Sequence, residues 1–86
     1  MPISQDLIAL LVCPESRTPL RRAPEALIQR INGAIDAGRL RNRAGNHLTE
    51  RVVEALVRED SVLVYPVRDG IPNLLIDESI ELDKIA

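Results

Sequence analysis

The sequence has few of the side chains on which binding sites and catalytic centres most often depend. Its 86 residues include no tryptophan, no phenylalanine, one tyrosine, one cysteine and one histidine. A single cysteine cannot form an intramolecular disulfide, and so few aromatic rings leave little surface on which nucleic-acid bases stack. Hydrophobic residues still make up 45% of the chain, so the core must be aliphatic.

Long apolar runs are also missing. No run approaches the ~20 residues that a membrane helix requires, and the first residues lack the charged and then apolar pattern of a secretory leader. We therefore expect a cytoplasmic protein that does not enter the membrane. A chain of 86 residues is expected to form one domain, 1–86, close to the smallest size at which a single core suffices.

Charge is unevenly distributed along the chain, although the net charge is only −2. Residues 17–43 hold seven arginines and two acidic groups, a net of +5, whereas residues 44–86 hold four basic and nine acidic groups, a net of −5. Such a division occurs where one face meets a phosphate backbone, and also where two oppositely charged halves attract each other. We favour the second interpretation, because an acidic chain with one aromatic side chain is a poor match for RNA.

The most densely specified stretch comprises two apolar segments joined by a polar turn. Residues 62–65 form a β-branched and aromatic run typical of a strand, and Pro66, which lacks an N–H, predicts that pairing ends there or faces an edge. Gly70 can adopt the positive φ angle that a tight turn requires, and Pro72 forces an extended entry into a second strand at 73–76. The turn is assigned to Arg68, Asp69, Gly70 and Pro72.

Two helices are predicted in the first forty residues. Ser4 is placed to cap a short helix that ends by Cys13, because a following proline disfavours helical geometry. Leu20 then begins a short strand. A longer helix over 24–37 has apolar residues at helical spacing and a glycine, Gly38, just past its end.

A further helix is predicted over 46–57. Asn46 is placed to cap it, and its apolar residues share one helical face. The chain is therefore expected to be an α+β protein, with a small antiparallel sheet formed by its two ends and a two-helix insertion over 21–57 between them.

Two separated segments resemble a known family. The first, at 10–14, is a leucine-rich run that ends in cysteine and proline; the second, at 65–72, is a tyrosine-proline pair followed by arginine, aspartate, glycine, isoleucine and proline. They resemble the small zinc-ribbon subunit that activates tRNA and protein methyltransferases, and its short bacterial relatives, the YcaR-like proteins. The resemblance extends over 6–20 and 62–79, and implies a zinc-ribbon-like sheet with a helical insertion at 21–57.

The resemblance also shows which groups the chain lacks. Metal-binding members of the family supply four cysteines in two pairs; here the first position is Cys13, the second is Ser16, and the other pair falls near Arg58 and Ser61. One thiolate, two hydroxyls and a guanidinium cannot form a tetrahedral zinc site. We therefore expect a metal-free member that needs no cofactor, in which Cys13 is a small buried packing residue.

No catalytic centre is expected. Cys13 and His47 lie far apart in the sequence with no companion motif, so they do not form a recognisable pair of nucleophile and base. The four glycines are isolated from one another, which excludes a glycine-rich phosphate loop. We therefore predict that the chain is not an enzyme.

The expected function is binding. By resemblance, the chain is a non-catalytic accessory subunit that activates or stabilises a larger enzyme, a methyltransferase, by docking through an exposed strand edge. Because side chains alternate between the two faces of a strand, one face of the 62–76 segment should be open to a partner or covered by the insertion. The candidate contacts are Tyr65, Val67, Ile71, Leu74 and Ile76.

Three alternatives stay open. The first is an RNA-contacting module that uses Arg39, Arg41 and Arg43, although nucleic acid is disfavoured for the reasons above. The second is a small self-associating structural protein, which would be a homo-oligomer, and the third is an enzyme of unrecognised type. The sequence identifies neither the partner nor the oligomeric state.

Overall fold

The fold is an antiparallel sheet with helices on both of its faces, which confirms the predicted α+β class. The computed structural model describes residues 4–68 and 70–82. No helix in these ranges has the length and apolar character needed to span a membrane. In chain order the elements are α1 (Gln5–Ile8), β1 (Leu20–Arg22), α2 (Glu25–Asp36), β2 (Glu54–Arg58), β3 (Leu63–Arg68), β4 (Ile71–Pro72), a 3₁₀ turn (Ile76–Glu78) and β5 (Ile80–Glu81).

Strand β3 is the centre of the sheet. The order is β1-β2-β3-β4, all antiparallel, and β5 pairs with the same edge of β3 as β4 but at its other end. The register places Leu56 opposite Tyr65, and Val57 opposite Val64. Since cross-strand partners point to the same face, this register fixes which side chains share each face.

The two faces are each covered by a different part of the chain. One of them, the α2 face, packs against the buried side of α2. The other, the Tyr65 face, packs against α1 and the turn that contains Cys13. The α2 face and its cover include Ile28, Ile31, Ala34, Ile35, Ala55, Val57, Val64 and Ile80. The Tyr65 face and its cover include Ile8, Cys13, Leu20, Leu56, Leu63, Tyr65 and Val67.

Helix α2 agrees with its prediction in both position and ends. It follows Pro24 directly, and Gly38 lies just past its end with φ +70°. Asn32 fixes the segment that follows, because its side-chain amide donates to the carbonyl of Val52 at 2.8 Å and accepts from the N–H of the same residue at 2.7 Å. The helix is thereby tied to the chain that leads into β2.

The predicted helix over 46–57 is wrong. Residues 54–58 form strand β2, which lies between β1 and β3, so the insertion contains one helix, α2, and the second α-helix of the protein is α1. The reason for the error is that β2 is buried on both faces. A strand of that kind has a continuous apolar run instead of alternation, and such a run cannot be distinguished from a buried helix by periodicity.

Pro66 lies inside β3 opposite Ala55, so pairing does not end there; of the two predicted alternatives, the second holds, because the proline faces away from β2. Its carbonyl accepts a hydrogen bond from the N–H of Asn73 at 3.2 Å, on the β4 side. Because the N and O atoms of a strand residue point to the same edge, the missing N–H faces the space between β4 and β5 and costs no bond to β2.

The second predicted strand, 73–76, is also corrected. The strand after the turn is limited to Ile71–Pro72, and Ile76 already belongs to the 3₁₀ turn. The predicted glycine geometry is confirmed, since Gly70 has φ +75°. Ser4 also caps α1 as predicted, by accepting from the N–H of Leu7 at 3.2 Å, although that helix ends at Ile8.

Candidate functional site

Two turns lie at the same end of the sheet. The first, at 13–17, is closed by a hydrogen bond of 2.7 Å from the N–H of Arg17 to the carbonyl of Cys13. The second, at 58–61, is closed by a bond of 2.8 Å from the N–H of Ser61 to the carbonyl of Arg58. Arg17 and Ser61 have φ of 59° and 61°, a left-handed conformation that is uncommon for residues with a β-carbon. The backbone conformation of each turn is therefore constrained by a closing hydrogen bond and a left-handed residue.

Cys13 is completely buried between the first turn and β3. Its Sγ lies 3.0 Å from the hydroxyl of Tyr65, and both residues have 0% exposure. Burial raises the pKa of the Cys13 thiol, but hydrogen bonds from Tyr65, Ser16 and the backbone of Glu15 outweigh burial and lower the pKa to about 7. Burial, followed by the contact with Cys13, raises the pKa of Tyr65. The prediction of a buried cysteine is confirmed.

Arg58 links the two turns through its guanidinium. Nη2 lies 2.8 Å from the Asp60 carboxylate of its own turn, and Nη1 lies 3.2 Å from the Glu15 carboxylate of the other. Nη1 also lies 3.9 Å from Sγ of Cys13. The hydrogen bond from Arg58 holds the pKa of Asp60 below its usual range, and the bond from Arg43 at 2.7 Å, with a further one from Arg58, does the same for Glu15.

The side chains at these turns do not fit a zinc ion. Among residues 4–68 and 70–82, no three His, Cys, Asp or Glu side chains are grouped so that they could hold a metal. The two hydroxyls have other partners: Ser16 bonds to Thr18 at 2.8 Å, and Ser61 accepts from Arg21 at 2.8 Å. A guanidinium carries only donors and a positive charge, so it cannot be a metal ligand. Metal-free folding stays a prediction, which this donor set supports.

The predicted partner contacts divide into buried and accessible residues. Tyr65 and Val67 are only 0% and 3% exposed, because both point to the Tyr65 face, which α1 and the Cys13 turn cover. They therefore leave the proposed contact set. Ile71 is 68% exposed, whereas Leu74 and Ile76 are half-buried.

The turn residues between β3 and β4 behave as structural groups where the structure describes them. Arg68 donates to the carbonyl of Arg51 at 2.6 Å and to that of Glu50 at 3.2 Å, which ties the hairpin to the chain before β2. Pro72 pairs with Val67. Asp69 lies outside the described residues.

Sequence reasoning missed a second exposed apolar group, next to α1. The sequence places Leu7, Leu10 and their neighbours on one helical face, but Ile8 and Leu11 alone turn toward the Tyr65 face. Helix α1 ends at Ile8 and continues as a short turn, in which the N–H of Leu11 donates to the carbonyl of Ile8 at 3.0 Å. Leu7, Leu10 and Val12 are left 40%, 80% and 45% exposed. The sequence analysis missed these exposed residues because it predicted a longer amphipathic helix, which places Leu7 and Leu10 on its buried face.

This group and the hairpin border the same sheet face, since Leu11 and Leu74 both pack against the core of the Tyr65 face. Leu75, next to Leu74, is 60% exposed. We call the five exposed residues on these two segments the apolar rim; one of them, Ile71, pairs with Arg68 and so points to the other side of the sheet. The apolar rim comprises Leu7, Leu10, Val12, Ile71 and Leu75.

Strand β1 lies at the edge of the sheet beside the same face. Just before this strand, Val12 pairs with Pro19, and the N–H of Cys13 donates to the carbonyl of Thr18 at 2.9 Å. The outer side of this edge is therefore partly covered by the chain that leads into the Cys13 turn.

All three arginines proposed for RNA binding are engaged within the chain. Arg43 is paired with Glu15, and Arg41 donates from Nε to His47 Nε2 at 3.1 Å. The same contact occupies the basic nitrogen of His47, the sole histidine. These contacts favour neither an RNA-binding cluster nor a catalytic role for His47.

The family model for Trm112p-like proteins matches residues 4–70 of this chain. The chain belongs to the Trm112p-like family. The match includes the Cys13 turn, α2, β2 and β3, and so confirms the family resemblance in both separated segments. Trm112p-like proteins of this kind are small non-catalytic proteins in general, and the family is known for accessory subunits.

Two relatives match this Trm112p-like chain over nearly its whole length. A UPF0434 protein of Vesicomyosocius okutanii subsp. Calyptogena okutanii (strain HA) is 33% identical over 82 residues, which cover 95% of this chain and 90% of that protein. A UPF0434 protein of Maricaulis maris (strain MCS10) is 32% identical over 81 residues, which cover 94% and 86%.

A solved structure has the same fold. The solution NMR structure of XF2673 from Xylella fastidiosa has a TM-score of 0.80 and 31% identity, and the superposition covers 98% of this Trm112p-like chain and 87% of that one. The arrangement of sheet and helices is therefore shared across nearly the whole length of both proteins.

Proposed function

We propose that this chain is a non-catalytic accessory subunit that binds a methyltransferase in the cytoplasm and stabilises or activates it. The support is family membership, because Trm112p-like proteins partner with methyltransferases in general. The observation on this chain that supports it most directly is the apolar rim, whose five large side chains are 40–80% exposed.

The apolar rim is suited to a protein partner. Scattered exposed aliphatic residues need no explanation, but several on two segments that border one sheet face are typical of an interaction site. Specific protein interfaces bury ~800 Å² on each partner around a small central cluster. Strand addition to the edge of the sheet, the second element of the proposal, would supply main-chain hydrogen bonds to the partner.

Within the predicted contact set, Ile71 is the strongest member because it is exposed. Leu74 and Ile76 are half-buried, and we expect their accessible parts to contribute contact area at the border of the rim. Leu10 and Val12 extend the surface to the segment that leads into Cys13.

The test is reconstitution with the methyltransferases of the same organism. Each is co-expressed with this chain, and complexes are identified by size-exclusion chromatography and by methyl transfer with and without the chain. We expect Leu10→Glu and Leu75→Glu to weaken the complex at least tenfold, because each places a charge in the interface. The matched control is Ala26→Glu, an exposed position on α2 at the opposite face.

Three results would contradict the proposal. The first is that no methyltransferase binds, or that the rim variants bind as well as the control. The second is co-purifying RNA that disappears at raised salt and in variants of Arg39, Arg41 and Arg43, which would favour the RNA-contacting alternative. The third is a mass that rises with concentration while no enzyme binds, which would favour self-association.

A further inference from the structure

We propose that the guanidinium of Arg58 takes the place of a metal ion in this protein: one buried cation, carried by β2, holds the turn at 13–17 to the turn at 58–61. The inference rests on the geometry of the two turns and does not depend on the proposed methyltransferase partner.

The position of Arg58 supports this role. The four positions at which the resemblance implies metal ligands are 13, 16, 58 and 61, and the structure places them in the two turns at one end of the sheet. Only Cys13 keeps a thiol. Arg58, which stands where a thiolate ligand would be, directs a cation toward that thiol and approaches its Sγ to 3.9 Å.

The groups around the guanidinium also support it. Arg58 receives one carboxylate from each turn, Glu15 at 3.2 Å and Asp60 at 2.8 Å. A metal ion with thiolate ligands has the same charge pattern, since a central positive charge is surrounded by negative groups from two segments. The guanidinium has a planar fork of five donors, which allows one side chain to bond to both segments at once.

The burial of the Arg58 side chain supports it as well. The Arg58 side chain is only 11% exposed, and a charge in such a position is tolerated only when it is paired and hydrogen-bonded. Its partners are therefore required by the fold. Removing the guanidinium would take this cation from Asp60, leave Glu15 with Arg43 alone, and remove the side chain that joins the two turns.

The network extends beyond the turns through Glu15. This carboxylate also pairs with Arg43 at 2.7 Å, and the N–H of Arg43 donates to the carbonyl of Ser79 at 3.0 Å. The chain before β5 is thus connected to the Cys13 turn. Val12 immediately precedes that turn, so the same link positions one end of the apolar rim.

This arrangement predicts a link with properties unlike those of a metal site. It needs no metal supply and resists chelators, but ion pairs at the protein surface are screened by salt. Glu15 and Asp60 are 38% and 49% exposed, so the salt effect should be measurable.

The first experiment measures how fast a thiol reagent modifies Cys13 in the native full chain. Cys13 has 0% exposure, so the reaction requires local opening of the turn. We expect Arg58→Met to raise the rate at least tenfold, and Arg58→Lys, which keeps the charge, to recover most of the protection. The control Arg22→Met removes another strand arginine, paired with Glu54, and should leave the rate unchanged.

Equal rates for the unmodified chain and Arg58→Met, or an equal increase in Arg22→Met, would overturn the proposal. The unmodified chain supplies a second measurement that needs no variant. Raising the salt from about 0.05 M to about 1 M, which shortens the screening length severalfold, should accelerate the modification severalfold, and a chelator should not. The opposite pattern would contradict the inference.

The second experiment rebuilds the metal site. The variant Ser16→Cys, Arg58→Cys, Ser61→Cys supplies four thiols together with Cys13, and Co²⁺ is the probe because tetrahedral thiolate coordination gives a strong visible spectrum. We expect one Co²⁺ per chain and a melting temperature that rises with Co²⁺, whereas the unmodified chain shows neither. No Co²⁺ binding by the variant would show that the four positions do not converge, and would refute the proposed place of Arg58.

Discussion

The two faces of the sheet are held by different kinds of interaction. The α2 face is covered by a helix of twelve residues, and its buried cluster is aliphatic. The Tyr65 face is covered by a helix of four residues and a turn, and contains the buried thiol and phenol. The α2 face therefore depends mainly on apolar area, with Asn32 as the polar tie of its helix, whereas the Tyr65 face depends more on directional polar contacts, because its cover is too short to bury much area.

The largest expected effect distinguishes the two covers. Ile31 in α2 is 0% exposed and Ile8 in α1 is 1% exposed. Ile31→Ala should lower the free energy of unfolding by about 2–5 kcal/mol, because the long helix cannot close the cavity. Ile8→Ala should cost less, because α1 can detach locally without unfolding the sheet.

Denaturant unfolding measures the first effect, and hydrogen exchange measures the second. In Ile8→Ala, the amides near Cys13 should lose protection while those of β2 and β3 keep it. Equal losses of global stability in the two variants, with uniform exchange, would show that the two covers unfold as one unit.

The second prediction concerns the hairpin at the border of the Tyr65 face. Gly70 has φ +75°, so Gly70→Val should lower the free energy of unfolding by about 1–2 kcal/mol or more, since a β-branched residue is strained there. The contrasting change is Gly33→Ala in α2, where an added Cβ meets nothing within 4 Å. It should raise stability by about 0.5–1 kcal/mol. The melting temperatures of both variants test this prediction. An unchanged melting temperature in Gly70→Val would mean that the backbone relaxes to another conformation at this position.

The sequence predicts well where local chemistry determines structure. Pro24 and Gly38 delimit α2, Ser4 caps α1, and Gly70 adopts its positive φ angle. These signals act over a few residues and do not depend on the rest of the fold. The same holds for the family motif, whose two segments both contribute residues to the Tyr65 face.

Prediction from the sequence was less successful where distant parts of the chain determine the secondary structure or the burial of a residue. Strand β2 is buried on both faces because α2 covers one of them and α1 with the Cys13 turn covers the other, which no local pattern records. The choice between the two alternatives for Pro66 also depends on tertiary structure, because its missing N–H faces a gap between two short strands. For the candidate site, exposed Ile71 was predicted, but the burial of Tyr65 and Val67 depends on α1 and the Cys13 turn, which come from a distant part of the chain.

The third prediction is a pH dependence that belongs to the Tyr65 face. The pKa of Cys13 falls from 9.0 to about 7 in the folded chain, so between these values the unfolded chain binds more protons than the folded one. Stability should therefore rise with pH across this interval, by about 2 kcal/mol in total, and this contribution should be lost as the pH falls through 7.

Denaturant titrations at several pH values test this dependence. Cys13→Ser should abolish it, because the titrating group is gone, and Tyr65→Phe should reduce it, because the hydrogen bond to the thiolate is lost. A pH profile that is unchanged in Cys13→Ser would assign the dependence to another group.

The smallest expected effect concerns two carboxylates, one in the turn at 58–61 and one at the end of α2. Asp60 pairs at 2.8 Å with Arg58, whose side chain is 11% exposed, whereas Asp36 pairs at 3.5 Å with Arg51, and both of those side chains are more than half exposed. Asp60→Asn should lower the melting temperature, by less than the core substitution does, because the buried guanidinium loses a charged partner. Asp36→Asn should leave it unchanged or raise it slightly, because an exposed ion pair contributes little and Asp36 places a negative charge at the C-terminal end of α2. Salt should reduce the difference between the two variants. Equal melting temperatures in Asp60→Asn and Asp36→Asn at low salt would mean that the polar contacts of the Tyr65 face contribute no more than ordinary surface charge.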